Sequence, residues 1–93
     1  MIRCIVYSPS RIRAELRLDE IASANKSIVS KSRESLRVVT DTEEWIWVNP
    51  ELDSARGKRA EKALIDSMCS NRAFDTIIIP SCYGYCTDIQ FFE

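Results

Sequence analysis

Four cysteines, a block of acids and a block of bases are the groups through which this 93-residue chain could do chemistry, and it holds no histidine. The missing imidazole removes Ser-His-Asp and Cys-His catalysis and the commonest zinc ligand. Cys82 and Cys86 bracket a Tyr-Gly-Tyr turn, while Cys4 and Cys69 stand alone. Structural zinc sites use two matched pairs, so Cys82 and Cys86 are weak metal candidates; a strained disulfide across the turn is a second option. Reduced, half-buried thiols are the expected state, and no cofactor is expected.

Asp41, Glu43, Glu44, Glu51 and Asp53 face no Lys or Arg between positions 41 and 53. A metal or acid–base site needs carboxylates that converge in a dry cleft, whereas hairpin turns and helix starts favour exposed acids for local reasons. The expectation is a solvated acidic surface, one that could imitate nucleic-acid charge toward a basic partner. Arg56, Lys58, Arg59 and Lys62 follow at once. On a helix, 58 and 62 share a face; with Arg11, Arg13 and Arg17 of another helix they could form a phosphate-touching surface, though those helices lack interleaved aromatics. Ser8-Pro9-Ser10-Arg11 could hold an anion at a helix start, but there is no GxxxxGK[ST] loop for a nucleoside triphosphate.

These groups need a scaffold, and the chain has room for a single α/β domain over 1–93, since domains typically hold roughly 100–150 residues. Its 45% apolar and 29% charged residues are those of a globular protein, and a net charge of −1 argues against a DNA-wrapping role. No apolar run approaches the roughly 20 residues that span a bilayer. The first run, ending at Ser8-Pro9, is too short for a signal peptide, so a cytoplasmic location is expected.

Ile2 to Tyr7 reads as a strand, with Ser8 capping a helix over RIRAELRLDEIASA (11–24) and Pro9 at its first position. Residues 23–35, rich in serine, read as a connector with one short extended piece at Ile28-Val29. Leu36 to Thr40 and Trp45 to Val48 make a hairpin around Asp41-Thr42-Glu43-Glu44. Ala60, Leu64 and Met68 recur at i+4, so 54–70 reads as a helix; Asp75 to Ile79 reads as a strand stopped by Pro80, then a turn and a last strand at Ile89 to Phe92. The order β-α-β-β-α-β suggests a ferredoxin-like two-layer sandwich, with a small Rossmann-like parallel sheet as the alternative.

Trp45-Ile46-Trp47-Val48 is apolar on both faces, which a sheet covered on one side does not need. Ile77-Ile78-Ile79 has the same character. The cover on the second face would be another copy of the chain, a different protein, the C-terminal Phe-Phe segment or a third layer. Paired tryptophans are enriched at interface hot spots, which makes Trp45 and Trp47, with Asp41, Glu43 and Glu44 beside them, the candidate partner-binding site.

The segments IVYSPSRIRAELRLDEI, RVVTDTEEWIWV, SARGKRAEKALID and FDTIIIPSCYG together resemble part of a helicase- or terminase-type ATPase core that lacks the P-loop. In that likeness Asp66 matches the metal-holding Walker B acid, and Ser67 stands where the catalytic glutamate would be. A strand at 63–66 parallel to one at 76–79 would leave only 67–75 for a crossover that needs about a dozen residues, so the helical reading of 54–70 is kept. The resemblance implies a fragment without ATPase activity. The resulting expectation is a small, non-enzymatic inhibitor or adaptor, phage- or mobile-element-encoded, that binds a protein or a second copy of itself as a homo-oligomer. The alternative is a nucleic-acid-binding module using Arg56, Lys58, Arg59 and Lys62 on a basic helix face.

Overall fold

The computed structural model describes residues 1–24, 28–32, 34, 36–82 and 84–93, with the backbone alone given for 28–32 and Asp53. Parts of the expected connector (25–27, Arg33, Ser35) and Tyr83 of the expected turn lie outside the described residues. The fold is mixed α/β. Its strands are β1 (Ile2–Tyr7), β2 (Ile28–Ser32), β3 (Arg37–Thr40), β4 (Glu43–Val48), β5 (Lys62–Asp66) and β6 (Asp88–Phe92). They form, among the described residues, one six-stranded sheet in the order β2-β3-β4-β1-β5-β6. β1 runs parallel to β4 and β5, and β5 parallel to β6; β2, β3 and β4 are antiparallel.

Helix α1 (Arg11–Ala24) covers the expected residues. Its cap is Ser10, not Ser8: the Arg13 N–H donates to Ser10 Oγ at 3.4 Å and the Ala14 N–H to the Ser10 carbonyl at 3.1 Å. The β3–β4 hairpin also forms, but Glu43 and Glu44 join the strand, leaving Asp41 and Thr42 as the loop. The extended piece at Ile28 becomes edge strand β2.

The second half differs from expectation. Lys62–Asp66 is a strand rather than part of a helix over 54–70, and only Asp53–Ala55 makes a short 3-10 turn. The expected strand at 75–79 is helical. Asn71–Ala73 is α-helical, Phe74–Ile78 π-helical and Ile79–Cys82 α-helical again, one continuous run called α2. Pro80 can donate no backbone hydrogen bond, and the widened turn before it, in which Ile79 N–H reaches back to the Phe74 carbonyl, carries the helix through. Ser70 caps α2 by accepting from Ala73 N–H at 3.0 Å, and its own N–H and hydroxyl donate to the Glu51 carboxylate at 3.0 and 2.7 Å.

The ferredoxin-like two-layer arrangement is corrected by the faces of β1. Cys4 and Val6 pack with Ala14 and Leu18 of α1, and with Leu36, Val38 and Trp45. Ile5 and Tyr7 pack on the other side with Ile77, Ile78 and Cys82 of α2, and with Val48, Ala63 and Ile65. There are therefore three layers, α1, sheet and α2, and the parallel-sheet alternative describes β4-β1-β5-β6. Parallel strands require crossovers that lay helices over the sheet, which makes the central strands apolar on both faces.

Candidate functional site

The carboxyl ends of β1 and β5 are adjacent, which brings Ser8 and the start of α1 against Asp66. Asp66 is buried, with its side chain fully shielded from solvent. Arg13 Nε donates to Oδ2 at 2.7 Å and Nη2 to Oδ1 at 3.0 Å; Ser8 Oγ donates to Oδ2 at 2.8 Å and Met68 N–H to Oδ1 at 2.9 Å. Burial pushes the carboxyl pKa up, but the donors from Arg13, Met68 and Ser8 outweigh it and hold the group below its ordinary value. Of the Ser8–Arg11 turn that could hold an anion, the Ser8 hydroxyl is engaged by this acid of the same chain, and the acid singled out by the ATPase likeness has each oxygen doubly hydrogen-bonded. This cluster is a latch between β5 and α1.

The second α1 cation, Arg17, bonds Glu20 at 2.6 Å and lies 4.8 Å from the Phe92 ring centroid. Arg13 and Arg17 are therefore engaged on their own side of the fold and do not extend the bases of 56–62.

Those bases occupy the segment leading into β5 rather than a helix face. Gly57, at φ +83°, takes a left-handed conformation that disfavours other residues and turns the chain between Arg56 and Lys58. The segment beyond is pinned on both sides. Ala60 N–H donates to the Ser81 carbonyl at 3.3 Å, Glu61 N–H to the Arg3 carbonyl at 2.8 Å, and Thr87 N–H to the Glu61 carbonyl at 2.7 Å. Cys86 Sγ lies 3.1 Å from the Ala60 carbonyl.

This places Arg56, Lys58 and Arg59 around a groove of about 350 Å³ whose other walls are Thr76, Ile77, Pro80, Ser81 and Tyr85, with no carboxylate among the described lining residues. The Arg59 guanidinium sits 4.5 Å from the centroid of the half-exposed Tyr85 ring. A second open groove of about 280 Å³ shares Arg59 and Tyr85 and adds Arg3 together with the acid Glu61. Among the described residues, Arg56, Lys58 and Arg59 make no ion pair. Lys62 is withdrawn from the group by Glu43, 2.6 Å away. The pairing holds Glu43 below the usual carboxylate range, chiefly through the Lys62 hydrogen bond, and raises Lys62.

The residues expected to bind a partner lie elsewhere. Trp45 is only 8% exposed and packs toward α1, and its Nε1 donates to Glu43 at 3.2 Å. Trp47 is half-buried on the same side, donating Nε1–H to the Ser8 carbonyl at 2.9 Å. Ile46 and Val48 face α2. The two-faced strand is thus covered by the chain's own layers. Glu44 bonds Arg37, while Asp41 is exposed in the hairpin loop. Of the five, Asp41 is exposed, Glu43, Glu44 and Trp47 are half-buried and Trp45 is buried.

All four cysteines are free thiols. Burial pushes Cys4, Cys69 and Cys82 up to about 12. Among the described residues no three His, Cys, Asp or Glu side chains converge as a metal site, Cys82 and Cys86 included.

Sequence reasoning singled out Arg56, Lys58 and Arg59 but missed Tyr85 and Thr76, because the aromatic arrives from the far side of a crossover. The available signal was the Tyr-Gly-Tyr turn between Cys82 and Cys86. The chain matches no protein-family model, no curated protein and no solved structure at a significant level.

Proposed function

We propose that this chain binds single-stranded nucleic acid in the groove between Arg56–Arg59 and Tyr85. The observation that carries the reading is a nucleotide-sized concavity lined by three cations, two hydroxyl side chains and an aromatic ring, with no acid among them. Single-strand binders combine a positive track for the phosphates with aromatic faces on which bases stack. Here Arg56 and Lys58 supply the track, and Tyr85, backed by the Arg59 guanidinium, supplies the face. Arg3 lies beyond Arg59 in the adjoining groove, where Glu61 offsets its charge, so the track is confined to Arg56, Lys58 and Arg59. A short footprint reconciles this role with a net charge of −1, because the charge that matters is local.

The test is fluorescence-anisotropy titration of a labelled oligonucleotide at several salt concentrations. With three phosphate contacts the slope of log affinity against log salt should be about −2, which weakens binding about 20-fold between 50 and 200 mM. A flat salt response, or equal loss of binding on replacing exposed Arg37 and the groove arginines, overturns the proposal. Tighter binding to an acidic peptide than to the oligonucleotide would reassign the groove to a protein partner. The protein-interaction reading retains separate support in the open edge of β6.

A further inference from the structure

We infer that β6 is a self-pairing edge through which two copies of this chain join their sheets antiparallel about a two-fold axis centred on Gln90. Among the described residues β6 pairs with β5 alone and closes the sheet order, so its other side presents backbone groups that no described strand takes up. Such an edge is a template for strand addition unless charge, proline or a covering segment blunts it. Here it carries Ile89 at 48% and Phe91 at 62% exposure, and no proline.

The order of residues selects a second copy as the occupant. An antiparallel pair centred on Gln90 sets Ile89 opposite Phe91 of the other copy, and Phe91 opposite its Ile89. Both pairs lie on the α2 face, where Phe91 already meets Phe74 with ring centroids 6.0 Å apart. Cross-strand aromatic–aliphatic pairs of this kind stabilise sheets. A groove of about 360 Å³ lies beside them, with Ile65, Cys69, Phe74 and Phe91 as its apolar wall and Asp66, Ser67 and Asn71 as its polar one, and offers room for the incoming side chains.

On the α1 face the same register sets Asp88 opposite Phe92 of the other copy. Arg17 lies over that ring, 4.8 Å from its centroid, and Asp88 makes no ion pair among the described residues. The two-fold therefore brings Asp88, held among the described residues only by long contacts of 3.4 and 3.5 Å from Gln90 Nε2, toward the Arg17 guanidinium of the other copy at both ends of the strand pair. That guanidinium would be shared with its own Glu20. A closed, isologous contact of this sort stops at the dimer.

Sedimentation equilibrium on the intact chain should show a reversible monomer–dimer equilibrium. Phe91→Lys and Ile89→Lys should each shift it to monomer, because a lysine would face an apolar residue at both symmetric positions, while far-ultraviolet circular dichroism and melting stay near those of the parent. Asp88→Arg should weaken the dimer, and Asp88→Arg combined with Arg17→Asp should restore it in part. A parent chain that stays monomeric up to millimolar concentration overturns the inference. So does a dimer that survives both lysine variants, since it would use another surface.

Discussion

The Arg13 guanidinium grips both oxygens of Asp66, Nε at 2.7 Å and Nη2 at 3.0 Å, and so ties the first turn of α1 to the end of β5. Asp66→Ala removes the acceptor for four donors, two of them from Ser8 and the Met68 backbone. The expected loss is at least about 2 kcal/mol of folding stability, read by urea denaturation at neutral pH. The latch also sets an acid limit. A carboxyl held below its ordinary value in the fold contributes stability above its unfolded pKa of about 3.9 and loses it as pH falls through the folded value. Stability measured from pH 6 down to pH 2 should fall below about pH 4 in the parent and fall less steeply in Asp66→Ala. Parallel curves would show that Asp66 is not the group responsible.

Trp45 separates a core role from a docking role. Its burial against α1 predicts that Trp45→Ser destabilises the monomer by about 3–5 kcal/mol, as large-to-small changes of buried aromatics do. Trp47→Phe keeps the ring but loses the Nε1–H bond to the Ser8 carbonyl, and about 1 kcal/mol should go with it. Thermal melts of both variants check the order; a Trp45→Ser protein that melts with the parent would return this strand to the surface.

Alkylation should rank the thiols. Cys4, Cys69 and Cys82 are pushed up to about 12 by burial, so little thiolate is present at pH 7. Iodoacetamide in excess should leave these three largely unmodified in the native protein and label them after unfolding, as peptide mass spectrometry would show. Rapid native labelling of Cys4 would contradict its place between β1 and α1.

Tyr85 gives the groove a test independent of charge. Tyr85→Ala should weaken single-strand binding by about 1–3 kcal/mol if one base stacks there, whereas Tyr85→Phe should retain most of it. Anisotropy titrations at fixed salt distinguish the two. Equal affinity for Tyr85→Ala and the parent would leave the ring without a role in binding.

Much of the first half could be read without coordinates because its signals are local. Residues 11–24 are helix formers with charged pairs one turn apart, and they fold as the expected helix. The β-rich runs before Thr40 and after Glu44 pair as a hairpin. The second half inverted. Ala63-Leu64-Ile65 is too short to show a period, and Leu64 at i+4 from Ala60 imitates a helix, yet Ala63 and Ile65 face α2 while Leu64 packs with the α1 side. Ile77-Ile78-Ile79 has the β-branched composition of a strand, yet it is helical because burying Ile77 and Ile78 on the sheet outweighs their modest local cost.

The basic residues could be found in the chain by themselves; their usable geometry could not. Lys62 is lost to Glu43 and Arg13 to Asp66 through contacts between distant segments. Tyr85 reaches Arg59 only because the β5–α2–β6 crossover returns it to the entrance of β5. Local propensity and charge spacing thus determined which elements and ionic blocks this protein has to work with. Tertiary structure decided which charges remain unpaired and which face an aromatic ring, since only packing sets distances between residues far apart along the chain.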